Sequence, residues 1–150
     1  MNDFLALDIS GAGMRVQRQR MQVVAENLAN QKTTGPDGPY QRKEVVVRAI
    51  PMTEFQRTLE GELVRSNGEV DEATQGVAVS EVRPDQEAPT RVFDPSHPHA
   101  DAQGYVSYPN ISVFREMTDM IESQRMYEAN LSASRSTREM LTSALDLIRR

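Results

Sequence analysis

The sequence predicts a mixed but mainly α-helical fold. Long N- and C-terminal helices form a coiled-coil-like axial bundle, with a small irregular β-containing domain between them. Three observations predict this. Apolar residues recur every seven positions at both ends, valine runs interrupted by prolines fill the middle, and a dense group of turn formers closes the first helix.

The first segment, residues 1–30, is an N-terminal axial helix whose pattern runs from Leu5 to Asn30. Ile9, Val16 and Val23 form one seven-residue series, and Leu7, Met14, Met21 and Leu28 form a second. Arg15, Gln17, Arg18, Gln19, Arg20 and Gln22 supply the polar surface, and Ala12 and Ala25 allow another helix to approach closely. A stripe of this kind has to be buried against something. Gly11 and Gly13 are expected to weaken the first turns. Residues 31–39 form a linker, because Thr33-Thr34-Gly35-Pro36-Asp37-Gly38-Pro39 concentrates residues that end helices.

Residues 40–109 form the middle domain. Val45-Val46-Val47 within Arg42 to Ile50 predicts a strand, Val77, Val79 and Val82 predict a second, and Arg91-Val92-Phe93 a shorter one. Ser66-Asn67-Gly68 predicts a tight turn between Leu63-Val64-Arg65 and Glu69-Val70. Met52 to Leu59 fits a helix or an extended segment equally well. Pro84, Pro89, Pro95 and Pro98 keep these elements short. Tyr105 and Tyr108 are expected to anchor the junction with the helix that follows.

Residues 110–150 form a long C-terminal axial helix. Its seam alternates spacings of four and three: Val113, Met117, Met120, Gln124, Tyr127, Leu131, Ser134, Arg138, Leu141, Leu145 and Ile148. The apolar members are subunit-packing positions, and Gln124, Ser134 and Arg138 are candidates for fixing register or choosing a neighbour. From residue 113 to 148 the helix spans about 54 Å at 1.5 Å per residue. The N-terminal helix is shorter and leaves part of this seam uncovered within one chain. An intramolecular hairpin and packing between chains both remain open, and the uncovered seam favours the second.

Composition agrees with a chain that completes its core on other chains. Leu, Ile, Val and Phe together make up 32 of 150 residues, a thin supply for offsetting backbone entropy. The net charge of −5 and the absence of a Lys/Arg run argue against a nucleic-acid partner. There is no cysteine, which excludes disulfides, thiolate metal sites and thiol nucleophiles. No apolar stretch reaches the length of a membrane span, so direct membrane insertion is not expected. Met1-Asn2-Asp3 lacks the basic start of a secretory signal, and export is expected by another route.

No catalytic, cofactor or metal site is predicted. His97 and His99 lie between Asp94 and Asp101, but there is no third histidine and Pro95 and Pro98 stiffen the path; a turn or surface contact explains them. No nucleophile motif surrounds Ser96 or Ser107, and Gly35, Gly38 and Gly61 lack phosphate-loop spacing.

Several runs resemble a known family. Ser10 to Asn30, above all Met21-Gln22-Val23-Val24-Ala25-Glu26-Asn27-Leu28-Ala29-Asn30, resembles the N-terminal signature of bacterial flagellar rod and hook proteins. Gly38 to Glu44, Phe93 to Asp101 and Gly104 to Asn110 are similar to the C-type proximal-rod members of the flagellar basal-body rod family, as is Met117 to Asn130. Two places depart from the pattern: Gln31-Lys32 replaces small residues, and Arg115 stands where relatives often carry an acid.

The resemblance implies a structural, non-catalytic subunit of the proximal rod, the drive shaft crossing the periplasm around the export channel. Implied partners are copies of itself, other proximal-rod proteins, the distal rod protein, a rod adapter near the MS ring and the flagellar type III export apparatus. The alternative is a soluble coiled-coil export chaperone or adapter for flagellar axial proteins.

Overall fold

Helix α1 (Asn2–Ala29) begins three residues earlier than its apolar pattern and runs unbroken through Gly11 and Gly13. The computed structural model describes residues 2–36, 38–51 and 75–148. The stretch Met52 to Leu59 and the turn expected at Ser66-Asn67-Gly68, with its flanking strands, lie outside the described residues.

A helix tolerates glycine at a cost of about 1 kcal/mol when something else requires the missing side chain. At Gly13 that requirement is visible: a Cβ would sit 2.9 Å from both terminal atoms of the Asn130 side chain. One position away, Ala12 is buried with Ile50, and Val77 and Ala78 pack on that pair. Ala25, the other small residue of the stripe, is exposed.

The helix ends as its composition predicts. The Asn30 side chain donates to Glu26 O at 2.8 Å, and the Thr33 hydroxyl donates to Asn30 Oδ1 at 3.1 Å. The chain then reverses, with Tyr40 N–H bonded to Thr33 O at 3.1 Å.

Strands β1 (Lys43–Pro51) and β2 (Gln75–Pro84) form one two-stranded sheet. Both coincide with the valine runs. Beyond the strand ends, Asp85 N–H still donates to Arg42 O at 2.7 Å.

Strands β3 (Thr90–Phe93) and β4 (Tyr105–Tyr108) form a second, antiparallel pair in the register Thr90 with Tyr108 through Phe93 with Tyr105. Strand β4 is an addition to the sequence reading, which took Tyr105 and Tyr108 only as junction anchors. Tyr105-Val106-Ser107-Tyr108 shows no alternation of apolar and polar residues that would mark a strand, yet Val106 is 1 % exposed while Tyr105 faces outward. Tyr105 instead packs edge-on against Phe93, with ring centroids 5.3 Å apart.

The loop joining these strands turns on Asp101 and Gly104. Asp101 Oδ1 accepts from the backbone N–H of Gln103 and of Tyr105, both at 2.9 Å. Gly104 has φ of 83°, and a Cβ there would lie 3.0 Å from the Phe93 ring. Left-handed backbone costs a residue with a side chain about 1–2 kcal/mol before the clash is added. Gly104→Ala is therefore expected to destabilise the hairpin by about 2–3 kcal/mol. Backbone-amide exchange along β3 and β4 would accelerate accordingly, and unchanged exchange would show that the hairpin does not depend on this turn.

Helix α2 (Val113–Ile148) has 36 residues and begins three residues after the start of the 110–150 segment, at the first position of its seam. By internal contacts the chain forms two compact units. One contains Met1–Arg18, Val47–Ser80 and Gln124–Arg150; the other contains Gln19–Val46 and Glu81–Ser123. Both long helices, and strands β1 and β2, contribute to each unit. In the first unit α1 meets α2 at Gly13 and Asn130, and in the second at Asn27 and Glu116.

Candidate functional site

The helix faces are the surfaces on which a non-catalytic role would rest. On α1, Val16 and Val23 are buried, and Ile9, Met14, Met21 and Leu28 are half-buried. On α2, Val113, Met120, Tyr127, Leu131, Ser134 and Leu141 are half-buried. Met117, Gln124, Arg138 and Leu145 are exposed, and the Ile148 side chain lies outside the description.

The side of α2 that its own chain covers is offset from the seam read in the sequence. Glu116, Ser123 and Thr137 are buried and Asn130 is half-buried, each one position before Met117, Gln124, Arg138 and Leu131. Together with Val113, Met120, Tyr127, Ser134 and Leu141, these residues make a heptad face that is polar or small at every second step. The large apolar residues are left outside. Phe114 is 87 % exposed, Leu147 76 % and Met140 62 %, and Met117, Ile121, Met126 and Leu145 are each at least half exposed. In a thin-cored chain these seven side chains are apolar surface that the chain's own fold does not use.

Within the second unit the buried polar residues converge on one constellation. Asn27, only 1 % exposed, makes all four hydrogen bonds that an amide side chain can form. Its Nδ2 donates to Lys43 O at 2.9 Å and to Glu116 Oε2 at 3.1 Å. Its Oδ1 accepts from Lys43 N–H at 2.9 Å and from the Tyr40 hydroxyl at 3.1 Å. By bonding both backbone groups of Lys43, the side chain occupies the place of a neighbouring strand and fixes where β1 begins.

Glu116 is fully buried in the first turn of α2, and its Oε1 accepts from Arg42 Nε at 2.8 Å. Arg42 Nη1 also pairs with Asp85 at 3.0 Å. Burial opposes the guanidinium charge, but the bonds to Glu116 and Asp85 outweigh it, so the Arg42 pKa lies above its ordinary value. Asp85 is held below the usual carboxylate range, first by the Glu87 backbone N–H and further by Arg42. The Lys43–Glu26 and Arg83–Glu44 pairs, each 3.1 Å long, sit in the open and add little.

This constellation escaped the sequence reading. Asn27 lay inside a recognised run, but nothing marked it as buried, and the seam drawn through Val113 and Met117 stepped past Glu116. A usable signal was present: 113, 116, 120, 123 and 127 make an equally regular heptad, with a carboxylate on it that demands a buried partner.

The arrangement offers structure rather than chemistry. A cleft of about 250 Å³ beside the constellation mixes Arg20 and Arg115 with Asp119 and Glu122 and selects neither anion nor cation. Among the described residues no three of His, Cys, Asp and Glu converge where an ion could be held. No described helix is long and apolar enough to cross a membrane.

Comparison with known proteins gives a consistent answer. A family model described as "Flagellar basal body rod FlgEFG protein C-terminal" matches residues 102–147, which include β4 and nearly all of α2. The flagellar basal-body rod protein FlgC of Bacillus subtilis is 37 % identical over 153 residues, covering 98 % of this chain and 99 % of its own. FlgC of Aquifex aeolicus is 41 % identical, covering 93 % and 92 %. FlgC of Salmonella typhimurium is 36 % identical, covering 93 % of each.

Proposed function

Because the chain belongs to the FlgC family of flagellar basal-body rod proteins, we propose that it is a structural subunit of the proximal rod, packed among other axial subunits by its terminal helices. The role is structural and non-enzymatic. The observation that carries the reading is the outward set of large apolar side chains on α2, from Phe114 to Leu147. One chain gains nothing by exposing them, whereas a subunit that buries them on its neighbours gains about 25 cal/mol for each Å² covered.

On this reading Met117, Leu145 and the half-buried rows of both helices are the packing positions, and Gln124, Ser134 and Arg138 select register or neighbour. Copies of this chain, other proximal-rod proteins, the distal rod protein and the adapter near the MS ring are the partners. The rod section they build crosses the periplasm around the export channel, and residues 40–109 face outward or bridge neighbours. The chain reaches the growing end through the flagellar export apparatus, and coupling helix docking to the final burial of apolar surface delays assembly until then.

Quantitative mass spectrometry of detergent-purified basal bodies tests the proposal. A fixed, small copy number that survives stringent washing is the expected result. Absence from the particle with abundance in the cytoplasm would replace the rod reading with that of an export chaperone or adapter. In the same assay Arg138→Leu is expected to reduce incorporation, and normal incorporation would remove that residue from the selecting set.

A further inference from the structure

The loop between β3 and β4 contains both histidines of the chain, and neither is accounted for by subunit packing. His97 Nδ1 lies 3.1 Å from the backbone N–H of His99 and accepts its hydrogen bond across Pro98. This is the geometry in which an asparagine or aspartate oxygen closes a turn on the residue two further on. Only an unprotonated ring nitrogen can accept, so the bond requires neutral His97 with its hydrogen on Nε2. A proton taken from solvent would occupy Nδ1 and set a donor against a donor.

The same turn is spanned by a backbone bond from Ala100 N–H to His97 O at 3.0 Å, and the ring nitrogen adds a second tie within it. His99 Nδ1 is 2.9 Å from the Thr34 hydroxyl, which joins the loop to the turn after α1. The two imidazoles stand 5.5 Å apart, edge to face, and His97 also packs edge-on to Tyr108 of β4 at 6.2 Å. Two carboxylates of the same loop, Asp94 and Asp101, flank the rings. Asp94 is held below the usual carboxylate range, first by the Ser96 hydroxyl, and His97 contributes in the same direction. Asp101 is likewise lowered, first by the Tyr105 backbone N–H, and it pairs with Arg91. Thr34, reaching in from the other side, carries no charge.

We propose that His97 is a proton-sensitive latch: neutral, it accepts the His99 N–H and presents His99 to Thr34; protonated, it releases that N–H and loosens the link between the β3–β4 loop and the turn after α1. The loop would then present one surface with the ring neutral and another with it protonated.

The test is an NMR titration of the ¹⁵N-labelled full chain, following the backbone amides of Thr34, His99 and Ala100 from pH 8 to pH 5. His97→Asn keeps an acceptor in the same place but cannot take up the proton, and His97→Ala lacks the acceptor at every pH. In the wild type the Thr34 amide is expected to shift with the same midpoint as the His97 ring, from the His97→Asn position toward the His97→Ala position. Titration of His99 itself appears equally in His97→Asn, so the latch is the difference between the two curves. Identical Thr34 and Ala100 titrations in wild type and His97→Asn would overturn the proposal, as would a wild-type spectrum at pH 8 matching that of His97→Ala.

Discussion

Glu116→Ala is expected to destabilise the unit formed by residues 19–46 and 81–123 by about 3–5 kcal/mol, the range for breaking one side of a buried ion pair. The loss exceeds the value of the missing contact because of what stays behind. Arg42, whose side chain is only 14 % exposed, keeps Asp85 but loses the carboxylate 2.8 Å from its Nε. Asn27 Nδ2 is left with one acceptor in place of two. Glu116→Gln keeps a single acceptor oxygen, so it can serve Arg42 Nε or Asn27 Nδ2 while its own NH2 faces the other donor, and it should recover only part of the loss. Arg42→Met combined with Glu116→Leu removes both charges together and should recover most of the stability. Amide exchange within this unit, measured against urea, would rank the variants. A Glu116→Ala protein within about 0.5 kcal/mol of wild type would show that the pair is dispensable.

Whether an element could be read from the sequence depended on how far its determinants extend along the chain. Helix α2 was legible as an element, though it starts at Val113 rather than at residue 110, because a heptad sustained over 36 positions averages out local exceptions. Strand β1 was legible from three consecutive valines, β2 from Val77, Val79 and Val82, and the end of α1 from the breakers after Asn30. Strand β4 was not, since Tyr105 to Tyr108 owe their conformation to β3, whose register with them no local pattern encodes. Gly13 invited a reading of weakness because propensity records its cost within the helix, while its benefit is space for Asn130, far along the chain.

The face of α2 that the chain covers for itself was hard to read for a related reason. Hydrophobicity does not say whose surface will bury a residue, and Met117 and Leu145 stay at least half exposed on their own chain. The row the chain does cover carries Glu116, Ser123, Asn130 and Thr137, which hydropathy scores as solvent-facing. A sequence that keeps polar residues for its own interior and turns apolar ones outward will mislead a single-chain reading. That inversion also ties the family assignment to the physics of assembly.

Asn27 provides the sharper test of the buried constellation, because its two obvious replacements should rank opposite to their similarity. Asn27→Ala removes partners from Lys43 N–H, Lys43 O, Tyr40 and Glu116 at once, and is expected to cost about 3 kcal/mol or more. Asn27→Asp preserves the side-chain shape and the acceptor for Lys43 N–H and Tyr40. It also puts a carboxylate oxygen where Nδ2 now donates, 3.1 Å from Glu116 Oε2 and 2.9 Å from Lys43 O. Two like charges at that distance, out of water, repel more than an absent amide costs. At pH 7 the near-isosteric aspartate variant should therefore be less stable than the alanine variant. Lowering the pH toward 5 should narrow the gap, as the introduced pair takes up a shared proton whose affinity is raised in the folded state. Urea midpoints of both variants at the two pH values would decide the matter. An aspartate variant as stable as wild type at pH 7 would mean that Asn27 donates nothing to Glu116, and that the helix contact is held by apolar packing around it alone.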